Sequence, residues 1–121
     1  MKLLKSLTVA ALLSGVVSTF GFADGHMAKK GEKIFLNKNI GNCLACHAVN
    51  GREDIQKMGP GSFGPKLIGL KYWDDKTLYD TVYDIYTARG LEISPMPAFG
   101  KAGWLSDAEI KAVVAFLKTI E

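Results

Sequence analysis

The chain has 121 residues, 48% of them hydrophobic and 22% charged, and a formal net charge of +3 at pH 7. That length holds one small domain and is thin for a self-sufficient hydrophobic core. Two of the 15 basic residues, Lys2 and Lys5, stand at the extreme N-terminus, and without them 13 basic side chains face 12 acidic ones, a balance that argues against nucleic acid or an anionic membrane as the main partner.

Behind those lysines, an apolar run from Leu7 to Phe22 closes on Gly21-Phe22-Ala23, with small residues where a signal peptidase reads. We expect residues 1–23 to be a cleaved secretory leader and residues 24–121 to form the mature domain. The run is short for a bilayer span and contains Ser14, Gly15, Ser18 and Thr19, which argues against a retained anchor and against stable membrane insertion. From Met27 to Leu36, Met27, Gly31, Ile34 and Phe35 recur at helical spacing among lysines and Glu32, predicting a short amphipathic helix. Gly31 costs such a helix about 1 kcal/mol relative to alanine, so a second backbone is expected to cross closely there.

Cys43-Leu44-Ala45-Cys46-His47 follows, and a Cys-x-x-Cys-His run reads as the attachment site of a c-type haem. Two thioethers need both sulfurs on one edge of the porphyrin, which a three-residue offset on a helical turn provides, and His47 then reaches the iron. A redox dithiol would want a thioredoxin-like βαβ context, and a zinc site would want a second Cys or His pair. Cys43 and Cys46 are the only cysteines, and the one other histidine is His26. Because haem is attached outside the bacterial cytoplasmic membrane, leader and motif agree on a Gram-negative periplasm, and the propionates would make the mature protein slightly negative.

A Gly- and Pro-rich stretch from Asn50 to Pro65 carries no sustained period and is expected to wrap the cofactor. Asp74 or Asp75 then caps a second helix, with Leu78, Val82, Ile85 and Arg89 on one stripe until Gly90 ends it. Tyr79, Tyr83 and Tyr86 form an adjoining row that reads as half-buried packing. The lysines at 29, 30 and 33 and the acidic group Asp74, Asp75, Asp80 and Asp84 read as solvated helix faces. Ser106-Asp107-Ala108-Glu109 fits a capping box, and Ile110, Val113, Val114 and Leu117 continue it as the last helix. With neither repeats nor strand alternation, the expected fold is one all-α domain of three to four helices around a single covalently attached haem.

An electron-transfer haem has both axial positions filled, and a methionine opposite the histidine stabilises ferrous iron. Met27 falls on the core face of the first helix, and Met58 follows His47 too closely for comfort. Met96, stiffened between Pro95 and Pro97, is the preferred ligand. His47 also needs an acceptor on its other ring nitrogen; the Pro65 carbonyl is one reading and a simple chain turn at Pro65 the other. Tyr72 and Trp73 are candidate hydrogen-bond donors to the propionates, packed aromatics being the competing reading.

Taken together, Gly31 with Phe35, the Cys43–His47 run, Gly64-Pro65-x-Leu67-x-Gly69-Leu70, Pro95-Met96-Pro97 and the last helix with Phe116 resemble the class I cytochrome c fold. The resemblance implies that first and last helices cross near Gly31, with Phe35 against Phe116, that the Pro65 carbonyl accepts from His47, and that Met96 is the sixth ligand. Gly41–His47, the Gly-Pro-Gly-x-Phe-Gly-Pro approach and Met96-Pro97-Ala98-Phe99-Gly100 with Leu105-Ser106 are similar to SoxX, the monohaem subunit of the SoxAX cytochrome of thiosulfate oxidation. That likeness implies a SoxA-type partner subunit, a SoxYZ-type carrier as indirect partner, and a downstream cytochrome or oxidase. It also implies a chain that relays electrons for an L-cysteine S-thiosulfotransferase complex without being catalytic alone. The alternative is a free-standing shuttle cytochrome. A haem peroxidase would need an open iron position and distal acid/base groups, for which only His26 is spare.

Overall fold

A computed structural model describes residues 20–121, with side chains from residue 25 onward. The leader expected over residues 1–23 lies outside the described residues except for its last four. The helices are α1 (Phe20–Leu36), α2 (Glu53–Gln56), α3 (Asp75–Tyr83), α4 (Ile85–Arg89) and α5 (Asp107–Leu117), with short 3-10 turns at Cys43–Ala45 and Leu70–Tyr72. Among the described residues the sole β-type pairing is one isolated parallel bridge between Val49 and Leu67, so the expected all-α class stands. No described helix is long and apolar enough to cross a membrane.

The core grows from the crossing of α1 and α5. The Ser106 hydroxyl accepts from the Glu109 amide (3.2 Å) while the Glu109 carboxylate accepts from the Ser106 amide (2.9 Å), a reciprocal cap that starts α5 where expected. Ile110, Val113, Val114 and Leu117 are all buried along it. A Cβ built on Gly31 would stand 1.8 Å from the Ala112 carbonyl oxygen, so α1 and α5 touch backbone to backbone. One turn on, Phe35 meets Phe116 edge to face with ring centroids 5.2 Å apart, as the resemblance implies. α1 begins upstream of its periodic segment, because no proline interrupts residues 20–26 and each added residue gains a backbone bond once a turn exists.

Two expectations need correcting. The loop after the haem motif contains α2, a single turn that buries Ile55 completely. Its entry is tied to α1 by Arg52, whose guanidinium donates to both Glu32 oxygens at 3.1 and 2.7 Å and to Asp54 at 2.9 and 2.7 Å. The second expected helix is two helices, broken at Asp84 (φ −152, ψ 90). In an unbroken helix the Tyr83 carbonyl would accept from Thr87. It accepts instead from the Gly100 and Lys101 amides, both at 3.1 Å, and the Thr87 amide turns to the Asp84 carboxylate at 3.4 Å. Asp84 thus serves as the cap of α4, bonded also to the Thr87 hydroxyl at 2.8 Å. At 7% exposure it is buried, unlike the solvated acidic face expected of it.

Candidate functional site

The Cys43–His47 run folds on itself because Asn42 takes the left-handed backbone (φ 51) and starts a helical turn of the 3-10 kind. The Cys46 and His47 amides both donate to the Cys43 carbonyl, at 3.1 and 2.9 Å. Cys43, Cys46 and His47 thereby share one wall of a cavity of about 620 Å³. That volume lies inside the roughly 300–1,000 Å³ of sites that enclose a whole organic cofactor. Its floor is the α1–α5 crossing, through Phe35, Val113 and Leu117; α3 and α4 add Leu78, Val82 and Ile85.

The Gly/Pro loop lies against the motif from the other side. Gly61 donates to the Leu44 carbonyl (3.0 Å) and Gly64 to the Cys46 carbonyl (2.8 Å). A Cβ on Gly64 would sit 2.4 Å from His47 Cε1, so the loop backbone is in contact with the imidazole itself. His47 Nδ1 is 2.8 Å from the Pro65 carbonyl oxygen. A carbonyl can only accept, so Nδ1 carries the proton and Nε2 keeps a free lone pair for a metal. The Asn50 amide donating to the Leu67 carbonyl (2.9 Å) and the Leu67 amide to the Ala48 carbonyl (2.8 Å) then clamp the loop just beyond.

Met96 lines the same cavity and is the one methionine among the described residues to do so. Its segment is pinned to α4: the Tyr86 hydroxyl donates to the Ser94 carbonyl (2.9 Å), and the Met96 amide donates to the Ser94 hydroxyl (3.1 Å). Met58 is 54% exposed and off the cavity wall, while Met27 packs half-buried on the core. Trp73 lines the cavity, but Tyr72 does not: it is 80% exposed, under the Lys71 ammonium at 5.1 Å from its ring. The 3-10 turn ends between the two, and Trp73 alone turns toward the cavity on extended backbone (φ −82, ψ 149). Arg89 and Phe63, neither of them among the site residues expected from the sequence, also line the cavity. Arg89 left a signal, as a charge on the inward stripe four residues after Ile85; Phe63, in a loop without period, left none.

The surroundings of the cysteines count against the competing readings. Burial pushes the Cys43 thiol up to about 12, away from the roughly 3.5–7.5 of a reactive dithiol's attacking cysteine. No cluster of three or more His, Cys, Asp or Glu side chains able to hold a metal ion exists among the described residues, which leaves a zinc site without its ligands. The Cytochrome c family model matches residues 28–121. The chain belongs to the cytochrome c family. No curated protein and no solved structure matches it. This cytochrome c is accordingly a haem electron-transfer protein, and its family implies a covalently bound haem c. The residues present fit that group: two sulfurs and an oriented imidazole on one wall, an apolar interior, and a thioether on the same cavity.

Proposed function

We propose that this cytochrome c is a periplasmic one-electron relay carrying a single haem c, bonded through Cys43 and Cys46 and ligated axially by His47 and Met96. The observation that carries it is the placement of His47 and Met96 on one cavity, with His47 already oriented by Pro65. A haem with both axial positions held by protein side chains supplies electron transfer without a coordination site for substrate. Around it the chain does three things. Pro65 fixes the tautomer and raises the basicity of His47. The apolar wall keeps water from the iron. The Ser94–Pro97 segment, hydrogen-bonded to Tyr86, holds the thioether with little conformational freedom to lose.

Within that role we place the chain as a SoxX-like subunit, accepting electrons released when a SoxA-type partner joins thiosulfate to a carrier cysteine. The motif likeness supports this reading, and so does the surface. Phe63 on the cavity mouth is 76% exposed, and Ile93, beside the Met96 segment, is 87% exposed. Apolar side chains at the rim suit a surface covered by a partner subunit, whereas a diffusing shuttle relies on charge and weak, salt-sensitive encounters. Purification of the exported haem protein from its native periplasm at low salt tests the reading. Co-elution with a second c-type cytochrome bearing thiosulfate-dependent activity is the expected outcome. A lone redox-active monomer indifferent to thiosulfate would assign the chain to the shuttle cytochromes instead.

A further inference from the structure

Two helix starts in this chain share one local chemistry and differ in their surroundings. Asp74 caps α3, its carboxylate accepting from the Thr77 amide at 2.9 Å and from the Thr77 hydroxyl. Asp84 caps α4 in the same way, accepting from the Tyr86 amide at 3.2 Å, the Thr87 amide at 3.4 Å and the Thr87 hydroxyl at 2.8 Å. Asp74 is exposed at the outer end of its helix, whereas Asp84 is 7% exposed and sits at the junction of two helices. Burying a carboxylate has a cost that a neutral cap such as asparagine would avoid, so a buried charge calls for a cation beside it. It meets one in Lys101, whose ammonium lies 3.5 Å from Oδ2.

Lys101 closes the stretch that carries Met96, and that stretch is fastened at both ends to residues flanking Asp84. At its start the Tyr86 hydroxyl donates to the Ser94 carbonyl at 2.9 Å; at its end the Gly100 and Lys101 amides both donate to the Tyr83 carbonyl at 3.1 Å. The Tyr83 carbonyl can accept them because the chain breaks at Asp84; a continuous helix would give it to the Thr87 amide. A Cβ on Gly100 would stand 2.0 Å from Tyr83 Cδ2, so the backbone there lies against the ring. Between the fastenings Pro95 and Pro97 stiffen the chain on either side of Met96, and Phe99, 7% exposed, forms part of the cavity wall. A displacement at either end therefore reaches the thioether with little slack to absorb it.

We infer that Asp84 is a positioning residue for the sixth ligand: the break it stabilises fastens both ends of the Ser94–Lys101 stretch and so sets how firmly Met96 holds the iron. The inference rests on Met96 being the axial ligand. Added imidazole binds only the form in which the thioether has left, so whatever stabilises the ligated stretch weakens the apparent affinity for imidazole.

The experiment uses the exported, haem-loaded protein and its Asp84→Ala, Asp84→Asn, Thr87→Val and Asp74→Ala variants. The Kd of the ferric protein for imidazole, the reduction potential and Tm are measured on each. Asp84→Ala is expected to bind imidazole roughly fivefold to tenfold more tightly, the equivalent of one lost cap, and to titrate at a lower potential. Asp84→Asn keeps the cap but not the pair with Lys101 and should lie between it and the wild type. Thr87→Val removes the hydroxyl bond alone and should move both readouts in the same direction, which keeps the test in hand where Asp84→Ala does not accumulate. Asp74→Ala loses the matching cap on α3 and should melt lower with imidazole affinity and potential unchanged. An Asp84→Ala or Thr87→Val protein that melts lower yet binds imidazole as the wild type does would overturn the inference, leaving Asp84 as a cap of α4 alone. So would an Asp74→Ala protein that gains as much imidazole affinity as Asp84→Ala, since the effect would then follow stability in general. Equal imidazole affinity in wild type and Met96→Ala would instead refute Met96 as the ligand.

Discussion

Gly64→Ala is the substitution in which fold and redox chemistry meet most directly. The added Cβ would stand 2.4 Å from His47 Cε1, 2.7 Å from Nδ1 and 2.8 Å from Nε2. An unligated histidine could swing aside, but one bonded to iron within a porphyrin tethered at Cys43 and Cys46 cannot, so the loop must retreat by about 1 Å to reach ordinary van der Waals contact. The Gly64 amide bond to Cys46 and the His47 bond to Pro65 are both 2.8 Å long, and a retreat of that size carries both beyond hydrogen-bonding distance. At about 1 kcal/mol each, their loss destabilises the protein by about 2 kcal/mol. For a domain of this size that lowers Tm by roughly 8–16 °C. Because the carbonyl makes His47 a stronger donor to ferric iron, its withdrawal should also raise the reduction potential. Thermal melts followed by far-UV circular dichroism, with a potentiometric titration on the same samples, measure both effects. A Gly64→Ala protein that melts and titrates with the wild type would show that the loop does not bear on the imidazole, and the reasoning would fail.

Gly31→Ala places a Cβ 1.8 Å from the Ala112 carbonyl oxygen, and overpacking of about 1–3 kcal/mol should outweigh the alanine gain in helix propensity of about 1 kcal/mol; urea denaturation should show a lowered midpoint, while Gly25→Ala, with open space around it on the same helix, should not. Met96→Ala should open the iron to added imidazole or cyanide and lower the potential by on the order of 100 mV, a modest part of the roughly 0.8 V that axial ligands span; an unchanged visible spectrum would remove Met96 from the axial position. Asp84 is held below the usual carboxylate range, chiefly by the Thr87 hydroxyl and also by the Lys101 ammonium. Its contribution to stability is therefore complete above about pH 4, its unfolded value, and fades as pH falls through the lower folded value. Asp84→Asn keeps the cap but not the charge, so its Tm should fall less steeply than the wild type's as pH is lowered below 4, and parallel curves would refute the role assigned to the charge.

What could be read in the sequence was what lies close together in it. The Cys43–His47 run carries its chemistry within one turn, and Ser106 and Glu109 name their own helix start because the cap is made within that turn. Gly31 could be read because a glycine inside a helical stripe has few other reasons to be there. The break at Asp84 could not: it is decided by Gly100 and Lys101, which take the Tyr83 carbonyl from far along the chain, and no local preference encodes that. The same holds for Arg52, whose fork reaches back to Glu32 on α1. Tyr72 and Trp73 are neighbours of similar chemistry, and which one turns inward depends on where the preceding 3-10 turn stops. Arg89 stands out in the sequence as a charge on an apolar stripe, but nothing in a sequence says that the stripe faces a cofactor cavity.

The break at Asp84 and the size of the cavity have a common consequence for how the protein folds. Its side chains line a half-open space of about 620 Å³, and water there against Phe35, Val82, Val113 and Leu117 would forfeit the burial that joins α1, α3 and α5. The haem is thus a share of the hydrophobic core as well as the seat of the electron. α4 and the Met96 segment meet the α1–α5 pair across that space, held together by hydrogen bonds at Tyr83, Asp84 and Tyr86. These bonds shape one half of the site, and the Cys43–Pro65 turn and loop shape the other, so a haem held between them as proposed would complete the core and the ligand set together.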